Sequence, residues 1–224
     1  CINIREGERI AALVPVRTFG DDEWLMFATR NGTVKKTVMS AYGNVRTVGI
    51  NAINIEPGDE LIDVQKTRGN DDIVLATSSG MSIRFHESDV REMGRATGGV
   101  KGIELGAEDR VIGMVVVRER AELLVVSEKG IGKRSLIGDY RVQKRGGKGI
   151  ITMQQTPKTG RLIALKDVLP EDELMMITKG GIIIRCPVQG IRVSGRNTQG
   201  VKLMNLDTDD RIVDVARVQK EDED

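Results

Sequence analysis

Trp24-Leu-Met-Phe-Ala-Thr-Arg-Asn-Gly32-Thr-Val-Lys35-Lys36 is an apolar run, a short polar turn and a second strand that carries cations. Asn-Gly is a strong hairpin signal, because glycine adopts the positive φ that such turns require. The same pattern recurs three times, with its turn glycine at Gly80, Gly130 and Gly181. The four glycines lie 48, 50 and 51 residues apart, which indicates a repeat architecture.

A second, independent pattern has the same period. An acidic or polar turn precedes a strand that opens at Ile10, Leu61, Val111, Leu162 and Ile212, spaced 51, 50, 51 and 50 residues apart. We therefore expect one domain over residues 1–220 and an acidic tail at 221–224. The repeat bounds that we expect are 1–20 (partial), 21–70, 71–121, 122–171 and 172–220. Because residues 1–20 carry only the second half of a unit, the sequence is expected to begin inside a repeat.

Each unit is predicted to be all-β. Runs such as Glu122-Leu-Leu-Val-Val-Ser127 are short, β-branched and bounded by turn residues. Only Glu87 to Met93 could form a single helical turn. Fifty residues hold about four strands with their connections, and four-stranded units repeated radially make a propeller. The fold class expected is a β-pinwheel or propeller-like array of about four and a half blades.

The composition excludes several function classes. The 224 residues include two cysteines and one histidine, too few for a disulfide scaffold or a zinc cluster, so we expect neither a metal site nor a catalytic site. No apolar run reaches the length of a membrane span, so no membrane partner is expected. The net charge is +1, but binding depends on where charges lie: Lys129 to Gly149 holds seven Lys/Arg and one acid.

Between the two patterns, every full repeat has a glycine-rich basic connection, with Arg46, Arg95, Arg145 and Arg196 in successive copies. Arg, Lys and backbone N–H groups donate to phosphate oxygens, so one such loop per blade would present cations at regular intervals to a polyanion. We also expect the cations of each hairpin to face this rim. The residues predicted to bind DNA are Lys35, Lys36, Arg46, Arg84, Arg95, Lys101, Lys133, Arg134, Arg141, Gln143, Lys144, Arg145, Gly146, Gly147, Lys148, Gly149, Arg185, Arg196 and Lys202.

The partner class predicted is duplex DNA. Aromatic residues make up 3% of the chain, which weakens the base-stacking modes of single-stranded nucleic-acid binding. No Gly-x4-Gly-Lys-Ser/Thr sequence occurs, because Lys148 is followed by Gly149, so no nucleotide P-loop is expected in this domain.

The heptad Gln143-Lys-Arg-Gly-Gly-Lys-Gly149 resembles the gyrase-A box, a motif of the C-terminal domain of the gyrase A protein, a family within the type IIA DNA topoisomerases. Ala28-Thr-Arg-Asn-Gly-Thr-Val-Lys-Lys-Thr37 and Gly195-Arg-Asn-Thr-Gln-Gly-Val201 also resemble that DNA gyrase family. The box usually lies in the family's first blade, whereas here it lies in the third complete repeat. It is therefore a displaced or second box.

The resemblance implies a β-pinwheel whose basic rim wraps duplex DNA with positive handedness. It also implies that this domain is non-catalytic, and that ATP and Mg²⁺ act elsewhere in an A2B2 holoenzyme that introduces negative supercoils. The implied location is the bacterial cytoplasm, in association with the nucleoid. Two alternatives stay open: the C-terminal domain of the related topoisomerase IV, and a protein-binding propeller scaffold.

Overall fold

A computed structural model describes residues 7–8, 10–46 and 49–218. The predicted tail at 221–224 lies outside these residues. The strands are β1 (Trp24–Thr29), β2 (Thr33–Val38), β3 (Leu61–Thr67), β4 (Asp72–Thr77), β5 (Met81–His86), β6 (Val100–Lys101), β7 (Val111–Val116), β8 (Glu122–Ser127), β9 (Ile131–Leu136), β10 (Ile150–Ile151), β11 (Leu162–Val168), β12 (Glu173–Thr178), β13 (Ile183–Pro187), β14 (Val201–Lys202) and β15 (Ile212–Val218). Single 3-10 turns follow the hairpins at Met39–Tyr42, Glu87–Asp89, Ile137–Asp139 and Val188–Gly190. Among the described residues, no helix is long and apolar enough to cross a membrane.

The strands form four antiparallel sheets, which we call blades 1 to 4. Their orders are β3-β1-β2-β6, β7-β4-β5-β10, β11-β8-β9-β14 and β15-β12-β13. The first strands of these orders are neighbours in space, since β7 packs against β3 and β11, and β11 packs against β15. They therefore form the inner side of the array, and β6, β10 and β14 form its outer edge. The all-β propeller class expected from the sequence is confirmed.

One feature of the blades differs from the expectation. The outermost strand of each four-stranded blade comes from the following repeat, not from its own fifty residues. Val100 and Lys101, for example, pair with Val34 and Thr33 of blade 1. The turn glycine of each hairpin in these blades is also bonded to the following repeat. The carbonyls of Gly32, Gly80 and Gly130 accept backbone hydrogen bonds of 2.7 to 2.8 Å from the N–H groups of Gly102, Thr152 and Leu203. Two-residue strands carry too little hydrophobic pattern to be predicted.

The core lies between consecutive blades. Apolar side chains of blades 1 and 2, including Met26, Leu75, Ile83 and Phe85, form one buried cluster. A second cluster joins blades 2 and 3, and a third joins blades 3 and 4. Since both faces of an interior blade are covered, its hairpin strands are buried almost throughout.

Candidate nucleic-acid interface

The predicted basic connections lie at the outer edge of the blades. We call residues 94–99, 143–149 and 194–200 the first, box and third loops. Each one runs directly into the exchanged strand β6, β10 or β14. The loop therefore belongs to one repeat and is fixed to the blade of the repeat before it. The earlier connection at 44–49 includes two residues outside the described part of the chain.

One arginine recurs in all three loops and points back to the preceding repeat. The guanidinium groups of Arg95, Arg145 and Arg196 donate to the carbonyls of Asn51, Lys101 and Ile151, at 3.3, 2.9 and 3.0 Å. The Arg145 Nε also donates to the carbonyl of Asp89 at 2.7 Å. These three side chains are half-buried. They join consecutive loops into a continuous edge, a role that the prediction of phosphate contacts did not include.

The last glycine of each loop is required by a close approach to the preceding blade. Gly99, Gly149 and Gly200 have φ of +113°, +75° and +85°. An added Cβ would lie 2.6 Å from the Val34 carbonyl oxygen at Gly99 and 2.7 Å from that of Gly132 at Gly200. At Gly149 it would overlap the Ser82 carbonyl oxygen more severely still. These glycines allow the blade contact, whereas the sequence pattern indicated contact with a DNA partner.

The hairpin lysines Lys35 and Lys133 are interior residues, which corrects their predicted place on the rim. Both are 0% exposed. The Lys35 Nζ donates to the carbonyl of Ala52 at 2.7 Å and to that of Arg95. The Lys133 Nζ donates to the carbonyls of Gly195, at 2.7 Å, and Arg196. Both faces of β2 and β9 are covered, so a lysine there meets the neighbouring loop and not solvent.

Burial perturbs both of these amines. It lowers the Lys35 pKa to about 8, with a further lowering from the Arg95 charge. Burial likewise lowers the Lys133 pKa to about 8, where Asp139 opposes the shift and Arg196 adds to it. Neither amine forms an ion pair within the described part of the chain.

The other hairpin cations are paired with carboxylates, which also departs from the predicted free rim. Lys36 contacts Glu87 at 2.6 Å, Arg84 contacts Asp72 at 2.6 Å, and Arg134 contacts Glu122 at 2.7 Å. Lys36 and Arg134 are buried and Arg84 is half-buried. Arg185 is exposed but is bound to Glu173. A paired, desolvated cation is a poor phosphate ligand, because the protein already neutralises it.

The remaining predicted cations are exposed: Arg46, Lys101, Arg141, Lys144, Lys148 and Lys202. None of their side chains is bonded to a residue that the structure describes. Lys144 and Lys148 flank Arg145 and the two central glycines of the box loop, and the Lys101 side chain passes beside Gly146. These three lysines bring unpaired positive charge together at the box loop. The Gln143 side-chain nitrogen is buried and has no partner among the described residues.

Two exposed cations were not predicted from the sequence. Arg91 and Arg192 occupy the position of Arg141 in their repeats, directly after a buried residue that ends the 3-10 turn. All three arginines are exposed, and the following residue pairs with the second hairpin strand of the preceding blade. The recurrence of these arginines at intervals of about fifty residues could have identified them. They lie, however, between the hairpins and the glycine-rich stretches, and the prediction was based on those two parts of the repeat.

Among the described residues, no group of three or more His, Cys, Asp or Glu side chains could hold a metal ion. Tyr140 is 1% exposed and shares a 2.7 Å hydroxyl contact with Thr152. Burial raises its pKa and that of Tyr42. A buried, protonated phenol is not placed to act as a nucleophile.

Comparison with known proteins was made by sequence and by structure. The family model described as the DNA gyrase C-terminal domain, beta-propeller, matches residues 23–68, 71–118, 121–168 and 172–219. The chain is 46% identical over 226 residues to the DNA gyrase A protein of Deinococcus deserti, covering 99% of this chain and 28% of that protein. It is 40% identical over 215 residues to the DNA gyrase A protein of Escherichia coli, covering 96% of this chain and 25% of that protein. The chain thus spans about a quarter of the length of these relatives.

Two solved structures share the fold. The crystal structure of the C-terminal domain of DNA topoisomerase IV superposes with a TM-score of 0.90 and 25% identity, over 96% of this chain and 68% of that one. The structure of the DNA gyrase A C-terminal domain superposes with a TM-score of 0.87 and 24% identity, over 97% of this chain and 73% of that one.

Proposed function

The chain belongs to the DNA gyrase C-terminal domain family, and from that premise we propose that it binds duplex DNA along the outer edge of its blades and wraps it. The observation that supports this most directly is the division of the cations into two sets. The hairpin cations are bonded to other groups of the protein, and so are the loop arginines Arg95, Arg145 and Arg196. The exposed cations of the outer edge, such as Arg141, Lys144 and Lys148, have no side-chain partner in the described residues. Charge that no protein group neutralises is available to a polyanion.

The unpaired cations favour backbone contact. Arg91, Arg141 and Arg192 recur once in each of the last three repeats, at the same place in successive units. Cations at the same position of successive blades can contact the regularly spaced phosphates of a duplex, and such contacts do not depend on a particular base sequence. Binding of this kind has little sequence preference and weakens steeply with salt.

Curvature is the second part of the proposal. Bending 20–30 base pairs by 40–90° costs on the order of 1–6 kcal/mol, which several phosphate contacts must offset. The array presents its contacts around a curved edge, so a DNA segment gains more of them by following the edge than by touching it once. Wrapping, and not only binding, is therefore the activity proposed.

In the whole enzyme, this wrapping would present a DNA segment to the cleavage core, with positive handedness, so that ATP-driven strand passage adds negative supercoils. We propose that the complete protein works as an A2B2 complex in the bacterial cytoplasm, in association with the nucleoid. ATP and Mg²⁺ would act in other parts of that complex.

The test is a change in DNA linking number. Nicked circular DNA is ligated in the presence of the chain at low salt, and the topoisomers are separated after the protein is removed. If the chain wraps DNA, the linking number of the ligated circles should shift, and this shift should grow with protein concentration and disappear at high salt. A matched control is Lys158→Ala, which removes one exposed charge from the turn before β11 and should retain the shift. Binding without any shift at low salt would refute the proposal of wrapping.

A topoisomerase IV protein is the second candidate, supported by the TM-score of 0.90 to its C-terminal domain. The two enzymes differ in outcome, because topoisomerase IV relaxes and decatenates DNA without adding negative supercoils. Negative supercoiling of relaxed plasmid by the full complex would exclude that candidate. A protein-binding scaffold has less support, since the outer loops are basic.

A further inference from the structure

We propose that Lys35 and Lys133 are positioning residues that set the backbone of the first and third loops without touching DNA. The inference rests on the proposed function, in which these loops contribute to a DNA-binding edge. It assigns two lysines of the hairpins to the architecture of that edge and not to its charge.

The two sites are built alike. Lys35 lies in β2 and binds the carbonyl of Arg95 in the first loop, together with the Ala52 carbonyl of its own repeat. Lys133 lies at the same position of β9 and binds the carbonyls of Gly195 and Arg196 in the third loop. Its third contact is the Thr198 hydroxyl, at 3.2 Å. Each amine thus gathers oxygens from the loop of the next repeat.

Lysine suits this task for a physical reason. A loop that turns its carbonyls toward a packed blade must find donors for them, since an unsatisfied buried carbonyl is costly. An ammonium group has three N–H donors on a flexible stem and no acceptor. It can therefore satisfy two or three converging carbonyls where no backbone N–H is within reach.

The same loops are also held from the opposite side. Arg95 and Arg196 each have their carbonyl bound by the lysine and their guanidinium bound to the preceding connection, at Asn51 and Ile151. One residue therefore links a blade, its own loop and the loop before it. Such a double anchor fixes the angle between neighbouring loops, and that angle determines whether exposed cations meet one continuous duplex.

The box loop provides an internal comparison. In β5 the lysine position is occupied by Ile83, and in the box loop the threonine position is occupied by Gly147, whose missing side chain faces Ile83 at 3.9 Å. This loop is held instead by Arg145, through Asp89 and Lys101. Lysine and threonine occur together in one class of loop, and isoleucine and glycine in the other.

The experiment is hydrogen exchange on the free chain, without DNA, for the wild type and for Lys133→Met. Methionine retains the length of the stem and removes the donors. We expect at least tenfold faster exchange at two amides that pair with this loop and its base: Gln154 N–H, bound to the Thr198 carbonyl at 3.0 Å, and Ser194 N–H, bound to the Arg134 carbonyl at 2.9 Å. The Gln143 N–H of the box loop, bound to the Arg84 carbonyl at 2.8 Å, should not change.

Lys35→Met is the second variant and should act on the first loop alone, through Asn54 N–H, which is bound to the Thr97 carbonyl at 3.0 Å. It keeps the proposal testable if Lys133→Met does not fold. The charge-matched control is Lys158→Met, an exposed residue that should leave every loop amide unchanged.

Three results would overturn the proposal. One is unchanged exchange with weakened DNA binding, which would make the lysine a DNA ligand. Another is unchanged exchange with unchanged binding. The third is acceleration spread evenly over all four blades, which would make it an ordinary core residue. Absence of DNA binding by the wild type would instead refute the proposed function, and the exchange result would still decide the role of the lysines.

Discussion

Gly149→Ala tests whether the last glycine of the box loop is required by its backbone and by its contact with blade 2. Gly149 has φ of +75°, a region that costs an L-residue roughly 1–2 kcal/mol. The added methyl group would overlap the Ser82 carbonyl oxygen, which is backbone and cannot rotate away. The clash is relieved only if β10 moves away from β5.

The size of the effect follows from what that movement breaks. Ile150 and Ile151 pair with Ser82 and Met81 in the exchanged strand. The next amide, Thr152 N–H, donates to the Gly80 carbonyl at 2.8 Å. With about 0.5–1.5 kcal/mol net for each backbone bond lost, plus the conformational cost, the free energy of unfolding should fall by about 2–5 kcal/mol.

Urea unfolding followed by circular dichroism measures this loss, and two glycine controls separate its parts. Gly58→Ala has φ of +82° and open space, so it should show only the conformational cost, about 1–2 kcal/mol. Gly94→Ala has neither constraint and should stay within about 0.5 kcal/mol of the wild type. If Gly149→Ala costs no more than Gly58→Ala, the close approach to Ser82 is not the reason for this glycine.

Four further predictions concern charge. Lys144→Ala with Lys148→Ala should leave the unfolding free energy unchanged and reduce the slope of log K against log salt by about 2 in DNA binding. Arg145→Ala, by contrast, should lower the free energy of unfolding, because two carbonyls lose their donor. Equal losses of stability in the lysine variant and in Arg145→Ala would contradict the division into exposed and structural cations. The pKa of Lys35 and of Lys133 is lowered to about 8 in the folded chain. Between pH 8 and 9.5 the unfolded chain therefore binds about one more proton per lysine than the folded chain does. The free energy of unfolding should rise with pH in that range by about 1 kcal/mol per pH unit for each lysine. Urea titrations at several pH values measure that slope, and Lys35→Met with Lys133→Met should abolish it; a flat wild-type curve would contradict the lowered pKa values. Glu87 is buried, which opposes ionisation, but bonds from Lys36, the Asp71 N–H and Thr67 leave its pKa lowered, so its contribution is present above about pH 4.5 and is lost as pH falls through the folded-state pKa. Glu87→Gln should cost about 3 kcal/mol at pH 7 by leaving Lys36 without its charge partner, and a loss below 1 kcal/mol would show that Trp24, whose ring lies 4.5 Å from the amine, suffices.

The sequence predicted the architecture because the repeat is visible at two points of each unit. The hairpin glycines and the strand-opening residues mark the same period, and the hairpins of blades 1 to 4 occur where that period places them. The exchange of the outermost strand could not be predicted. Val100 and Lys101 show no periodicity of their own, and their pairing with blade 1 is a tertiary contact.

For the interface, residue type was a poor guide to position. Lys133 and Lys144 are eleven residues apart in a basic stretch, yet one is fully buried and the other exposed. What separates them is the path of the next loop, which covers β9. A rule based on charge alone therefore selected both kinds of residue. It passed over Arg91 and Arg192, whose neighbours are not basic.

The exchanged strands connect stability to the proposed binding. The first, box and third loops each continue directly into the outermost strand of the preceding blade, so the loop cannot move without disturbing that strand. Each loop arginine binds the connection before it, so a displacement at Arg145 reaches Lys101 in β6 and then blade 1. A duplex that contacts exposed cations on two successive loops would therefore pull on one connected edge. In this proposal the exposed cations stay unpaired and so available to DNA, while Lys35, Arg145 and Lys133 hold the edge by donating to backbone carbonyls.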